Sequence, residues 1–369
     1  MHRHPRIHIR AAAVAVALAL LAATPAGAQD HAHAAHGDVG RVHFPTSCSA
    51  AAQPAFERGV AMLHSFWFDQ ALRTFQQAAA ADPGCAMAHW GVAMTLLGNP
   101  FTGASPAEGE LREALAAARA AVAGARTARE RGYAEAVLAL YHDYPSVDHR
   151  TRLRAHEEAM RGVHQAHPED PEAAIFYARA VIANAPPADL TFARQLYAAR
   201  LLEPLFRARP DHPGLAHYTI HAYDAPPIAG QGLDAARRYA DIAPAAPHAL
   251  HMPSHIFTRL GHWDESIETN RRSAAAEPDS NAAVHPNDYM VYAYLQQGRD
   301  AAAERVVRRA VQNTDRFYSS ILGYNYVAMP ARLALERGRW EDAAALPLSA
   351  GAPPHVEAIT RFARAIGAA

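Results

Sequence analysis

Two histidine pairs share one spacing: His217 and His221 in HYTIH, and His251 and His255 in HMPSH. His248 stands just ahead of the second pair, and Asp224 just behind the first. Four residues is about one helical turn, so on helices each pair turns both imidazoles to one side. Imidazole nitrogens bind Zn, Cu, Fe or Ni, and a carboxylate can complete such a shell. The plainer reading needs no metal: a histidine also makes amphipathic contacts and hydrogen-bonds a peptide or a neighbouring tyrosine. Both readings stand at this level. Other chemistry is poorly supported. Neither pair has the glutamate of HExxH, Ser254 lies in no G-x-S-x-G elbow, and no phosphate loop is present. All 35 basic residues are arginine, so no lysine can form a Schiff base.

The first residues read as a targeting segment. Arg3, Arg6 and Arg10 precede the apolar run Ala11–Ala23, and Ala26-Gly27-Ala28 supplies a small-residue cleavage site. A signal peptide over 1–28 is therefore expected, with an uncleaved N-terminal anchor as the alternative, and the mature chain is expected to be periplasmic or secreted. No later stretch is apolar for long enough to span a bilayer. Cleavage after Ala28 would expose Gln29-Asp30-His31, whose amine and third-place imidazole suit Cu(II) or Ni(II). Residues 29–47 read as a disordered, histidine-containing tail followed by an extended segment. The formal charge of −1 falls to about −4 without the three signal arginines, a balance that offers no footprint for nucleic acid.

From Phe56 onward the pattern is helical and repeating, and strand alternation is absent. Phe56, Val60, Leu63 and Trp67 mark one apolar face; Ala71, Phe75 and Ala78 mark another, and Asp82-Pro83 ends the unit. Gly59, Ala71, Phe75, Ala78 and Pro83 give a small, small, aromatic, small, proline spacing that resembles the tetratricopeptide repeat, a two-helix unit of about 34 residues. The turns Gly261-His262-Trp263-Asp264 and Gly338-Arg339-Trp340-Glu341 resemble the same family, and Gly298-Arg299-Asp300 is a weaker copy. Between Asn99 and Pro213 the pattern degenerates, although helical stretches continue at Glu108–Ala123, Arg126–Tyr141, Arg150–His164, Glu172–Asn184 and Leu190–Arg209. The resemblance covers roughly 52–347. It implies an all-α fold, a right-handed superhelical solenoid of antiparallel helix pairs with degenerate middle repeats, over 48–347, and 348–369 reads as a C-terminal capping helix. Cys48 lies just before the first unit and Cys85 opens the second, so in a stacked array the two are neighbours. A Cys48–Cys85 disulfide is expected in an exported chain, against two free buried thiols.

In the family, the first helix of each unit lines a concave groove. Phasing from Pro213 starts a unit at Ala216 and implies that His217, His221 and Asp224 face the groove; phasing from Gly261 starts the next at Pro247 and adds His248, His251 and His255. The following unit, from Asn281 or Val284, contributes His285, Tyr289 and Tyr292. Pro253 either kinks the His251–His255 helix or begins it. His64 reads as a helix-end histidine favoured by the dipole. The first expectation for function is an exported scaffold that holds a protein or peptide in its groove, a binding module more than an enzyme. The second is a metalloprotein with Zn, Cu or Fe on His217, His221, His251 and His255, the shell completed by Asp224, His248 or His285.

Overall fold

A computed structural model describes residues 37–277, 283–311, 323–349 and 351–369. The expected signal peptide and the Gln29-Asp30-His31 motif lie outside the described residues.

Among the described residues there is no strand. The chain runs through α1 (Gln53–His64), α2 (Phe68–Ala81), α3 (Ala86–Leu96), α4 (Glu108–Gly124), α5 (Ala128–Leu138) and α6 (His149–Ala166). It continues as α7 (Pro171–Ala183), α8 (Ala193–Ala208), α9 (Pro213–Tyr223), α10 (Leu233–Ile242), α11 (Pro247–His251) and α12 (Pro253–Leu260). The last part holds α13 (Trp263–Ala276), α14 (Val284–Gln296), α15 (Asp300–Val311), α16 (Gly323–Glu336), α17 (Trp340–Ala344) and α18 (Pro354–Ala368). Each helix packs on the next in sequence. First helices of neighbouring pairs also touch, α1 with α3, α3 with α5, α7 with α9, α9 with α12, α12 with α14, and α14 with α16. No helix among the described residues is long and apolar enough to cross a membrane.

The repeat signature has a steric cause. Phe75 is fully buried, and its ring fills the notch between Gly59 on α1 and Gly91 on α3. A Cβ on Gly59 would come within 2.8 Å of that ring, and one on Gly91 within 2.3 Å. Small residues therefore let three helices close around one aromatic. Gly261, Gly298 and Gly338 each adopt positive φ after a helix, the left-handed exit that the sequence turns required. The degenerate middle helices are stopped and started by side-chain caps, with Thr127, Asp148 and Asp170 accepting from the first turns of α5, α6 and α7.

The segment before α1 is extended through His43-Phe44-Pro45 and lies against the helices. From Gly37 it is packed: Val39 and Phe44 are buried, and Phe44 lies 5.3, 5.7 and 5.0 Å from the rings of Phe56, Trp90 and Tyr133. Its backbone is held by Glu57 and Gln53, while Asp38 and Arg41 pair with the chain at Ala245 and Asp211. An apolar plug with its peptide groups satisfied gains more than a solvated tail would. The Cys48–Cys85 disulfide is present, with the Cα atoms 4.7 Å apart, and clips this segment to the start of α3.

Two hydrophobic cores follow one another along the stack. The first runs from Val39 to Phe257 and the second from Val284 to Met329. In the first core α1 also meets α9, where Gly214 leaves room for the His64 ring. This cross-contact sets the histidines of α9 against the turn that follows α1.

Gly91→Ala is expected to destabilise the fold by about 1–3 kcal/mol through overpacking against Phe75, and Phe75→Ala by about 3–5 kcal/mol through the cavity. Chemical denaturation followed by circular dichroism measures both; an unchanged midpoint for Gly91→Ala would show that the notch is not tight.

Candidate metal centre

Three side-chain clusters combine histidines with close ligand atoms: His217–His221–His248, His251–His255–His285, and His64–Glu172–His212. Hydrogen-bond accounting separates them.

In the third cluster every ring atom has a partner. Glu172 accepts from His64 Nε2 at 3.0 Å and from His212 Nε2 at 2.8 Å. Tyr218 O–H donates to His64 Nδ1, and the Leu215 N–H donates to His212 Nδ1. Burial works to raise the Glu172 pKa, but the two imidazoles outweigh it and hold the carboxyl well below its ordinary range. Burial lowers His64. The ring nitrogens and the carboxylate oxygens thus all find partners within the buried set. His64 is thus the helix-end residue expected from sequence and, beyond that, a buried member of a hydrogen-bond network.

The other two clusters cannot be satisfied that way. His255 Nδ1 faces Asp224 Oδ2 at 2.7 Å and must donate to it. His251 Nδ1 faces Asn270 Oδ1 at 2.6 Å, and Asn270 is oriented by its own amide donating to the Ser266 carbonyl. Both protons are therefore on Nδ1, and the two bare Nε2 atoms stand 3.0 Å apart with lone pairs opposed. His285 brings a third ligand atom within 4.8 Å. In the first cluster His217 Nδ1 donates to the His64 carbonyl at 2.5 Å, which leaves its Nε2 bare. His221 Nε2 lies 3.0 Å and His248 Nε2 3.1 Å from that atom, and one lone pair accepts only one N–H well. Each group thus gathers ring nitrogens of which at least one lone pair has no donor among these contacts. A proton serves two nitrogens, whereas a metal ion gathers three.

Metal–nitrogen bonds of about 2.0–2.1 Å place ligand nitrogens about 3.3–3.6 Å apart; the pairs at 3.0–3.1 Å lie a few tenths of an ångström inside that range, and all ligand atoms of each cluster lie within 4.8 Å of one another. The Nδ1 partners are those that orient metal-bound imidazoles: a peptide carbonyl, an amide and a carboxylate. Asp224, at the end of α9, also receives Arg259 Nε at 3.1 Å. It therefore stands behind His255 and is not among the grouped ligand atoms. The close groupings join each HxxxH pair to a third histidine from a following helix, His248 for the α9 pair and His285 for the other.

Pro253 begins α12, and Met252 keeps helical angles across the junction with α11, so the break leaves His251 and His255 converged. Tyr289 stacks on His255 at 5.0 Å and meets His251 edge-on at 5.1 Å. Tyr292 points elsewhere, against Trp263 and beneath Arg332. Phe66 was not singled out in the sequence. Its backbone is left-handed, at φ 53°, a conformation that costs a non-glycine residue about 1–3 kcal/mol. That geometry lays its ring on His248 at 5.2 Å and against His217 at 4.5 Å. A cavity of about 350 Å³ opens beside it, lined by His221, His248, His251, His255 and His285 among apolar walls that include Met252. His217 lies beneath them, fully buried.

The chain is a tetratricopeptide-like stack of helix pairs carrying two adjacent three-histidine clusters. Among solved structures it is similar to human IFIT1, seen as a dimer with m7Gppp-AAAA, at 13% identity and a TM-score of 0.46, over 81% of this chain and 68% of that one. It is also similar to the P58(IPK) TPR domain at 14% identity and a TM-score of 0.23, over 86% of this chain and 98% of that one. These likenesses assign nothing to the histidines. No family model and no curated protein matches the sequence.

Burial lowers His217, His221, His248 and His251 well below the ordinary value of 6.5, with help from their neighbours, and lowers His285 and the buried His156 to about 4. The metal-free folded chain thus refuses protons that the unfolded chain accepts below 6.5, so its stability is full above that pH and falls as pH drops from there towards 4. Urea unfolding of metal-free protein at pH 7.5 and pH 5 checks this; equal or greater stability at pH 5 would contradict it.

Proposed function

We propose that this protein is an exported helical-repeat metalloprotein that binds transition-metal ions through the three-histidine groups. The observation that carries the reading is the contact between the bare Nε2 atoms of His251 and His255, whose Nδ1 protons are both committed to acceptors. An apo site built this way is electrostatically frustrated, and a bound cation converts opposed lone pairs into ligands. Neutral imidazole favours Zn, Cu and Fe over the hard, oxygen-seeking Mg and Ca.

The expected use of the groove, contact with a protein or peptide, fits these positions less well. His217 and His251 are 0% and 2% exposed, so they have little surface to offer a chain laid across them. The helical-repeat scaffold is retained in the present reading, with its inner face given to the ions.

Elemental analysis of tag-free, folded protein tests the reading. Stoichiometric transition metal is expected. The double variant His251→Ala, His255→Ala should lose the share bound at its group, and Asp224→Asn should weaken that group about 10–100-fold by releasing the His255 ring. Trace metal that is the same in wild type and double variant, both folded by circular dichroism, would overturn it.

A further inference from the structure

We infer that the two three-histidine groups form one dicopper(I) centre that binds dioxygen and reduces it to bound peroxide. The inference rests on the metal-binding reading and adds the identity of the ions, their joint action and their ligand.

The two groups are neighbours. His248 and His251 have ring centroids 5.9 Å apart, and His221 and His255 are 6.3 Å apart, so rings of different groups approach about as closely as some within a group. Five of the six rings line the same cavity, so ions on both groups would face one small enclosed space. Its volume lies at the lower end of ligand pockets, and its walls include Phe66, Trp67, Met252 and Pro286.

The ligand set suits copper among the imidazole-binding metals. Both groups consist of histidine alone, with no carboxylate and no thiolate among the ligand atoms. Asp224 behind His255 is engaged by that ring and Arg259, and Glu277 lines the cavity outside both groups. Paired divalent ions would bring four positive charges among six neutral rings in a largely buried place, whereas two Cu(I) ions bring two. Copper(I) accepts low-coordinate imidazole sets and leaves a position open on the cavity side.

Dioxygen suits such a pair by electron count and by charge. Each Cu(I) gives up one electron and becomes Cu(II). The two electrons enter O2, the O–O π bond is lost, and peroxide, O2(2−), remains bound between the ions. No proton or further reductant is required. The centre carries two positive charges before and after the step, so the apolar surroundings exact no new desolvation cost. Zinc, which has no redox chemistry, could not perform it.

The test starts from metal-free protein titrated anaerobically with Cu(I) against a chromophoric Cu(I) chelator, followed by addition of air-saturated buffer in an oxygen electrode. The expected result is two Cu(I) held per chain and one O2 consumed per chain, with no Cu(II) spin signal appearing after oxidation because the two Cu(II) ions couple. His285→Ala and, separately, His221→Ala should each hold one Cu(I) and show an O2 uptake reduced at least about tenfold, since a single ion supplies only one electron. Retention of just one Cu(I) by the wild type would overturn the paired centre. Two Cu(I) without O2 uptake, or retention of zinc with no competitive Cu(I) binding, would overturn the dioxygen step while leaving the metal-binding reading standing. Failure to retain any of these metals would overturn both.

Discussion

The hydrogen bond from His217 Nδ1–H to the carbonyl of His64 connects more of this molecule than its length in sequence suggests. It joins α9 to the end of α1 across 153 positions, fixes the tautomer of a fully buried ring, and turns that ring's other nitrogen toward His221 and His248. The same peptide belongs to a residue whose side chain sits on Glu172 and Tyr218. A buried polar group left without a partner costs about 1–3 kcal/mol, so these groups constrain one another tightly. If α9 slid by a turn, both the carbonyl and the Glu172 network would lose their donors at once. The approach of α1 to α9, permitted by Gly214, is the packing that makes the arrangement possible.

The two kinds of histidine cluster show how one residue type serves opposite ends in one core. Around Glu172 the imidazoles complete a closed set of donors and acceptors, and a metal ion would have to displace bonds already made. Around His217 and His251 the Nδ1 atoms are bonded outward and the Nε2 atoms are left facing inward. Proximity alone would rank the three clusters together. What distinguishes them is where the protons must reside, which follows from whether each Nδ1 meets a donor or an acceptor.

Much of the architecture was legible because it is written in short-range terms. Glycine before an aromatic, a small residue facing Phe75 and a proline after a helix each specify a local geometry, and the helix spans and the disulfide followed from them. The grouping of the histidines was legible too, since the repeat phase carried His248 and His285 to one face, although it carried Tyr292 there as well, and Tyr292 packs against Trp263 instead. The partition of the histidines was not. Spacing pairs residues along a helix, whereas a shell is assembled between helices, and the depth of α9 relative to α11 and α14 depends on packing that no local motif records. Asp224 looked like a ligand because it is acidic and close in sequence; only its bonds to His255 and Arg259 place it behind the ring. Phe66 was invisible as a site residue because its role comes from a left-handed backbone in a turn, and phenylalanine carries no sequence signal for that. The packing of the extended segment at 37–47 was not legible for a similar reason: one aromatic, Phe44, decides its fate, and composition averages over it.

The division of the interior into two cores gives the second histidine group an unusual position. His251 and His255 belong to helices closing the first core, while His285 opens the helix on which the second is built. Helical stacks of this kind are held together mainly by nearest-neighbour contacts, so a seam between cores is where the C-terminal part can part company with the rest. A ligand spanning that seam adds its binding free energy to the coupling between the halves. On the proposed metal-binding reading, the cluster would be a clasp as well as a binding place, and the cooperativity of the chain would change with what the clasp holds.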